Sequence, residues 1–237
     1  MRLVCISDTH TMGPKVTVPD GDVLLHTGDH TFRGTLEETE GALEWLSSLP
    51  HKHKVFIAGN HDFFWDSNAP AQFRGWKVHS AEASQAQLEI RKRQILLKYP
   101  GLTYLQDSGV EIEGVKFYGS PWQPWFYEWA FNFPSNDGAD KAKEIWGKIP
   151  ANTHVLLTHT PPKGIRDQNV FDGPHNHRLG DPHLRERIGN LDDLWVHAFG
   201  HIHGGYGIEV VDGTTFVNGA ICTEGYEPTN LPIVVDV

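Results

Sequence analysis

Acidic, amide and imidazole side chains recur in short blocks along this chain, each directly after a short apolar run. The blocks contain Asp8, His10, Asp29, Asn60, His61, Asp62, His159, His201 and His203. Carboxylate and amide oxygens combined with imidazole nitrogens suit Mn, Fe, Zn and similar divalent ions. A pure Mg or Ca site, which is built from oxygen donors, is a poorer match. The residue types therefore predict a transition-metal centre.

The spacing within two blocks places both side chains on one side of the chain. Asp8-Thr9-His10 and His201-Ile202-His203 hold candidate ligands two residues apart, and such residues share a face of an extended segment. Seven ligands would exceed what one tetrahedral ion uses. We therefore expect two ions that share one carboxylate.

Two divalent ions beside two carboxylates would leave a local charge of about +2. Such a site can attract a phosphate ester, and a bound water there can have a pKa of about 7. We therefore expect hydrolysis of phosphate esters by in-line attack of a hydroxide that bridges the two metals.

Short apolar segments must position these side chains. They are residues 3–6, 23–25, 55–58, 155–157 and 196–199. Runs rich in Val, Ile and Leu without alternation are typical of strands buried on both faces. Ligands of α/β sheets bind beyond the carboxyl ends of such strands. We therefore expect the metal centre at that edge of the sheet.

Helices and hairpins lie between these strands. Thr35-Leu36-Glu37-Glu38 has the pattern of a capping box at a helix start. Helices are also predicted over about 82–98, with Leu88, Ile90, Ile95 and Leu97 among the apolar positions, and over 139–148. Glu113-Gly114 and Asp212-Gly213 predict hairpin turns, and the segment between His159 and His201 is expected to be a long loop. This mixture predicts one α/β domain over residues 1–237, with mixed sheets covered by helices.

Composition narrows the function classes. The chain has 237 residues and a formal net charge of −10, which argues against binding long nucleic acids or anionic membranes. Cys5 and Cys222 are the two cysteines, so a disulfide framework and a thiolate zinc site are disfavoured. No segment matches a signal peptide or a membrane span. We expect a cytoplasmic protein that is a monomer or a small homo-oligomer.

Five ordered blocks of the chain resemble those of the calcineurin-like metallophosphoesterase superfamily. They are Asp8-x-His10, Gly28-Asp29, Gly59-Asn60-His61-Asp62, His159 and Gly200-His201-x-His203. Each block alone is a weak signal, but five in this order are specific. The segments 158–164, 199–207 and 212–218 are also similar to a narrower subgroup, the small single-domain metallophosphoesterase-domain-containing proteins.

This resemblance implies a fold and a set of roles. The fold would be a four-layer sandwich of two mixed β-sheets flanked by helices. The first metal would be held by Asp8, His10 and His203, the second by Asn60, His159 and His201, and Asp29 would bridge the two. His61 would contact the phosphoryl oxygen or protonate the leaving group, with Asp62 orienting it and Asn60 helping to bind substrate.

The resemblance also implies cofactors and substrates. The cofactors would be two divalent metal ions such as Mn²⁺, Fe²⁺/Fe³⁺ or Zn²⁺. The substrate would be a small phosphate ester, a phosphodiester above all, with cyclic nucleotides among the candidates. Two alternatives remain open: a nucleotide-binding regulatory protein with little turnover, and a phosphomonoesterase or protein phosphatase.

Two features depart from these patterns or stand outside them. His30 follows the bridging Asp29 where an apolar residue is expected, so it is either a group that supports the metal site or a substrate contact. Residues 122–131 are rich in aromatic side chains. This segment could stack a nucleobase, or pack on the core or on another subunit.

Overall fold

Two mixed β-sheets form the centre of the structure. The computed structural model describes residues 1–69, 81–133, 138–169 and 177–237. The strands in these ranges are β1 (Arg2–Ile6), β2 (Val23–Thr27), β3 (His53–Ile57), β4 (Leu102–Tyr104), β5 (Ser108–Ile112), β6 (Val115–Ser120), β7 (Val155–Thr158), β8 (Val196–Phe199), β9 (Gly207–Val211), β10 (Thr214–Asn218) and β11 (Ile233–Asp236). The strand orders are β11-β1-β2-β3-β4 and β5-β6-β7-β8-β10-β9.

Both predicted hairpin turns are confirmed. Glu113 and Gly114 join the antiparallel strands β5 and β6, and Asp212 and Gly213 join β9 and β10. All four residues have positive φ values, between 51° and 85°. Two consecutive residues with positive φ are typical of the type I′ turn, whose twist matches that of the paired strands.

Helices cover the outer faces of the sheets. The helices in the described ranges are α1 (Leu36–Ser48), α2 (Ala81–Lys98), α3 (Gly138–Trp146) and α4 (Pro182–Ile188). α1 begins as predicted, since the Thr35 side chain accepts a hydrogen bond from the Glu38 N–H at 3.2 Å. In α2 the predicted apolar face is wrong at Ile90 and Leu97, which are 55% and 80% exposed.

α4 lies in the segment that the sequence predicted to be a loop. The Asp181 side chain caps this helix by accepting from the Leu184 N–H at 2.7 Å, and Pro182 occupies its first turn. Asp followed by Pro is a helix-start signal that could have predicted α4. Residues 170–176 of the expected loop lie outside the described residues.

Alternation of side chains along each strand divides the core into layers. Leu3 and Cys5 of β1 face the second sheet and belong to the apolar cluster between the sheets. Val4 and Ile6 of the same strand face the cluster that includes Leu43 of α1. A third cluster packs the outer face of the second sheet against α3 and α4. The predicted four-layer sandwich is confirmed.

The carboxyl ends of the central strands meet at one edge. β1, β2 and β3 are parallel neighbours, as are β7 and β8. Ser7, directly after β1, joins the two sheets here, because its N–H donates to Gly219 O at 2.8 Å and its carbonyl accepts from Ile221 N at 2.8 Å. None of the helices in the described ranges has the length and apolar composition that a membrane span requires.

Candidate metal centre

The structure brings all nine predicted site residues to this edge of the sandwich. Three overlapping groups of their side chains could hold an ion, with the donor atoms of each group within 4.8 Å of one another. The groups are Asp8, His10 and His203; Asp8, Asp29 and His159; and His10, Asp29 and His61. Asp8, Asp29 and His159 are each at most 1% exposed. The cluster is therefore a buried group of ionisable side chains, a costly arrangement unless charge is compensated.

The first group combines loops from both sheets. His10 Nε2 lies 3.3 Å from His203 Nε2, which lies 3.3 Å from Asp8 Oδ1. His10 Nδ1 contacts Thr31 O at 3.3 Å, and His203 Nδ1 contacts Thr223 O at 2.9 Å. Because a carbonyl only accepts, each Nδ1 carries a proton, and Nε2 is the nitrogen that has a lone pair in the neutral ring.

A further group, called the second group below, consists of Asn60, His159 and His201, and it converges on the side-chain oxygen of Asn60. His159 Nε2 lies 2.9 Å and His201 Nδ1 lies 2.8 Å from Asn60 Oδ1. His159 Nδ1 donates to Thr27 O at 2.9 Å, which leaves its Nε2 facing Asn60. Donation of one ring N–H to a backbone carbonyl is the usual arrangement of a metal-ligating histidine.

Asp29 lies between the two groups. Its Oδ2 is 4.0 Å from His10 Nε2 in the first group and 3.4 Å from His159 Nε2 in the second. Its Oδ1 accepts from the His61 N–H at 2.8 Å, which fixes the orientation of the carboxylate. One oxygen therefore faces both groups, as the predicted sharing of a carboxylate requires.

The donor set fits divalent cations. His10 Nε2, His203 Nε2 and Asp8 Oδ1 are lone-pair atoms that face one another, and so are His159 Nε2 and Asn60 Oδ1. Such atoms repel one another unless a proton or a metal ion lies between them. Neighbouring ligands of one ion with bonds of about 2.1 Å are about 3.0–3.4 Å apart, close to the observed separations.

Protonation of the cluster follows from burial and charge. Burial lowers the pKa of His10 to about 4 and that of His201 to about 3. Burial also opposes ionisation of Asp8 and Asp29, but nearby histidines hold the pKa of both carboxyls below the usual range. For His159, the carboxylates of Asp29 and Asp8 outweigh burial and raise the pKa to about 9. A proton on His159 therefore competes with a metal ion.

Unusual backbone conformations aim the side chains. Asp8, His10, Asp29 and His201 have φ between 42° and 66°, a left-handed region that non-glycine residues rarely adopt. A Cβ at Gly59 would collide with Asp29 Oδ1, and one at Gly200 with Asp8 Oδ2. Glycine is therefore required where these loops approach the carboxylates.

His61 lies beside the cluster and is oriented by a backbone carbonyl. Its Nδ1 donates to Phe32 O at 2.7 Å, so Nε2 is the atom left to face the cluster. Its ring contacts His10 at a centroid distance of 4.7 Å and Trp129 at 4.3 Å. Neither Phe32 nor Trp129 was predicted as a site residue, because both contacts join segments that are distant in the sequence.

Asp62 does not have the orienting contact that the resemblance implied. Its carboxylate accepts from the backbone N–H groups of Asp29 at 2.8 Å, Gly59 at 2.8 Å and Thr31 at 3.0 Å, and from the Thr31 hydroxyl at 2.6 Å. In the described residues, Phe32 O takes the place at His61 Nδ1 that Asp62 was expected to fill. Asp62 therefore fixes the two loops that carry Asp29 and Asn60 relative to each other.

His30 supports the same network and is fully buried. Its Nε2 accepts from the Trp65 indole N–H at 3.0 Å, so Nδ1 carries the proton and faces Asp62 Oδ2 at 3.1 Å. Of the two roles left open by the sequence, the structure favours support of the metal site over contact with substrate.

A cavity of about 500 Å³ opens onto the cluster. Its lining includes Asp29, Asn60, His61, His201 and His203 together with Pro124, Trp125, Phe126, Trp129, Asn169, Leu179, Ile202, Glu224 and Tyr226. Trp125, Phe126 and Tyr226 are 55%, 54% and 39% exposed. The cavity thus has candidate metal ligands at its base and aromatic rings at its rim, and the rim comes mainly from the aromatic segment noted in the sequence.

Comparisons with known proteins agree with this arrangement. Human metallophosphoesterase domain-containing protein 1 is 38% identical over 236 residues, which cover 100% of this chain and 71% of that protein. Phosphopantetheinyl hydrolase (PptH) of Mycobacterium tuberculosis superposes with a TM-score of 0.60 at 14% identity, over 98% of this chain and 95% of that one. The protein TT1561 of Thermus thermophilus gives 0.56 at 12% identity, over 92% and 88% of the chains. These two structures share the fold.

A family model described as calcineurin-like phosphoesterase matches residues 1–205, which include every residue of the buried cluster. The order of the sequence blocks, the sandwich and the cluster at its edge all agree with that match. This chain belongs to the calcineurin-like phosphoesterase family.

Proposed function

We propose that the protein is a metal-dependent hydrolase of phosphate esters, and of phosphodiesters above all. The proposal rests on two groups of candidate metal ligands that lie on either side of Asp29, with His61 beside them. The groups are Asp8, His10 and His203, and Asn60, His159 and His201. Burial of so many ionisable groups is costly and has a ready explanation in a binuclear metal centre.

In this proposal Asp8, His10 and His203 hold one divalent ion, and Asn60, His159 and His201 hold the other. Asp29 contributes one oxygen to both. Divalent ions such as Mn²⁺, when bound there, would supply positive charge for the phosphoryl group and lower the pKa of a water molecule. The two carboxylates and the neutral rings of His10 and His201 are in the protonation states that such ions require, whereas His159 must give up its extra proton before an ion binds.

His61 handles the proton of the leaving group. Its Nδ1–H donates to Phe32 O, so Nε2 is the nitrogen that faces an oxygen of a bound ester and through which a proton would pass to the leaving group. Asn60, which lines the cavity beside His61, helps to bind the phosphoryl group.

The aromatic rim supports a planar leaving group. Trp125, Phe126 and Tyr226 expose their rings around a cavity whose volume of about 500 Å³ suits a nucleotide-sized ligand. Stacking on such rings is worth about 1–3 kcal/mol per base. We therefore propose small phosphodiesters, including cyclic nucleotides, as substrates, and the net charge of −10 argues against long nucleic acids.

Turnover assays test this proposal. Metal-free protein reconstituted with Mn²⁺ should hydrolyse bis(4-nitrophenyl) phosphate faster than 4-nitrophenyl phosphate, and a chelator should abolish the reaction. His61→Gln should lower kcat by about 10²–10⁴-fold while metal content stays unchanged. Absence of turnover of every ester with Mn²⁺, Fe²⁺ or Zn²⁺ would refute the hydrolase function.

The aromatic rim also suits a second function, a nucleotide-binding regulatory protein with little turnover. That function predicts tight binding of a nucleoside monophosphate together with negligible hydrolysis of linear and cyclic diesters. Preferential hydrolysis of the monoester would instead indicate a phosphomonoesterase or protein phosphatase. A comparison of binding and turnover on the same ester panel separates these outcomes.

A further inference from the structure

The aromatic segment is attached to the loop that carries His61. The segment closes on itself through hydrogen bonds from Gln123 N to Phe131 O at 3.0 Å and from Phe133 N to Gln123 O at 2.9 Å. Ala130 N donates to Asn60 O at 3.2 Å, and Phe131 N donates to Asp66 Oδ2 at 2.9 Å. The segment is therefore held against residues 60–66 by its backbone, whatever its exposed side chains contact.

These contacts place the indole of Trp129 on the imidazole of His61. The ring centroids are 4.3 Å apart and the planes are inclined by 36°. The same indole contacts Phe63 at 5.7 Å with an inclination of 30°. Trp129 is half-buried, in contrast to Trp125 and Phe126, which are more than half exposed at the rim.

A single hydrogen bond does not fix the plane of an imidazole ring. The contact of His61 Nδ1 with Phe32 O restrains one edge of the ring, and the Phe32 ring lies at 5.7 Å with an inclination of 40°. A tilted stack with the larger indole restrains the face of the ring, because aromatic pairs have preferred geometries. Together with the edge contact of His10 at 4.7 Å, Trp129 therefore helps to fix the direction of Nε2.

We infer that Trp129 is a positioning residue that holds His61 in the orientation needed for proton transfer to the leaving group. The inference rests on the proposed function of His61. It assigns to the aromatic segment a role distinct from contact with a leaving group, which belongs to the rim residues Trp125 and Phe126.

The test is a double-mutant cycle between Trp129 and His61. Trp129→Leu, His61→Gln and the double variant are compared on a diester with a good leaving group, 4-nitrophenolate, and on one with a poor leaving group, phenolate. Trp129→Leu should lower kcat by about 10–100-fold, more for the poor leaving group, with KM changed by less than about 3-fold. Trp129→Phe should restore most of the loss.

The double variant gives the decisive comparison. If Trp129 acts through His61, Trp129→Leu should have no further effect on kcat in the His61→Gln background. Equal losses in both backgrounds would overturn the inference alone. No effect of His61→Gln on either ester would overturn the proposed function, and the inference with it.

A control and a second readout address the stack itself. Trp195 stacks on His154 at 4.2 Å, away from the metal centre, so Trp195→Leu removes an equivalent contact and should leave kcat unchanged. In the metal-free protein, Trp129→Leu should move the imidazole C–H resonances of His61 by the loss of the indole ring current, and Trp195→Leu should move those of His154 only. Unmoved His61 resonances in Trp129→Leu would contradict the inference.

Discussion

Single contacts set the chemical state of the metal-centre side chains. Three of the histidines each direct Nδ1 at a backbone carbonyl, namely Thr31 O, Thr223 O and Thr27 O, so Nε2 is the nitrogen that each turns towards the cluster. The sequence blocks predicted which side chains would meet, because each block follows a buried strand. They did not predict the carbonyl partners, which depend on loop conformations with positive φ.

The role of Asp62 is the clearest residue-level difference between expectation and structure. An orienting contact with His61 would predict that Asp62→Asn affects kcat alone. The four hydrogen bonds that the carboxylate accepts predict instead that this variant loosens the loops of Asp29 and Asn60. We expect a loss of about 2–4 kcal/mol in the free energy of unfolding, together with weaker metal binding.

Urea unfolding and metal titration of Asp62→Asn check this expectation. His61→Gln is the matched control. His61 is the neighbour of Asp62 and contacts the loop of Phe32, so we expect this substitution to leave the metal content unchanged. An Asp62→Asn variant with unchanged stability and metal affinity, but lower kcat, would indicate that Asp62 orients His61. It would contradict the role of Asp62 in fixing the loops of Asp29 and Asn60.

Elements were predicted well where one local signal decided them. The strands before the candidate ligands follow from apolar runs, and the turns at Glu113 and Asp212 follow from the dipeptides Glu-Gly and Asp-Gly. The capping box was only half right, because Glu38 does not reach back to Thr35. Its carboxylate instead accepts from the N–H groups of Phe32, Arg33 and Gly34 at 3.1, 2.6 and 3.1 Å. Hydrogen bonds from three backbone N–H groups stabilise the Glu38 carboxylate more than one hydrogen bond from the Thr35 N–H would.

This contact links α1 to the proposed catalytic residue His61 through the turn of Phe32. Glu38 holds the turn whose Phe32 carbonyl accepts from His61, so Glu38→Ala should free that turn and reduce kcat by about 10-fold. Glu37→Ala is the control, since Glu37 lies on the same helical turn and is exposed. Steady-state kinetics with the Mn²⁺-loaded variants give the comparison, and equal kcat values for both would refute the link between α1 and His61.

The whole sandwich brings together groups that no local pattern could pair. Tyr226, Phe32 and Trp129 come from three separate loops, yet all three have rings within 6.3 Å of the His61 ring. The ligand blocks were predictable because all of them follow the carboxyl ends of strands. The rings around His61 have no common position relative to the strands, so the sequence drew attention to the aromatic segment without indicating which of its rings would lie at the site.

Buried histidines outside the cluster make stability depend on pH. His197 on β8 is fully buried, and its Nε2 donates to the Thr158 hydroxyl, which itself donates to Thr160 O. Nδ1 has no partner in the described residues, and burial lowers the pKa of His197 to about 3 from 6.5. Between these pH values the unfolded chain binds a proton that the folded chain excludes, so stability is lost as pH falls.

His197→Gln should flatten this pH dependence. The Gln side chain can donate to Thr158 as Nε2 does, but it does not titrate. In metal-free protein the variant should reduce the slope of the unfolding free energy between pH 6.5 and pH 3 by up to about 1.4 kcal/mol per pH unit. Urea titrations at several pH values measure the slope. An unchanged slope would show that His197 is not excluded from protonation in the folded chain.

The central claim is that this edge of the sandwich holds two metal ions that share Asp29. Anomalous diffraction from crystals grown with Mn²⁺ tests it most directly. We expect two anomalous peaks, one among Asp8, His10 and His203 and one among Asn60, His159 and His201, with Asp29 in contact with both. A single peak, or peaks remote from these side chains in crystals saturated with Mn²⁺, would contradict the account.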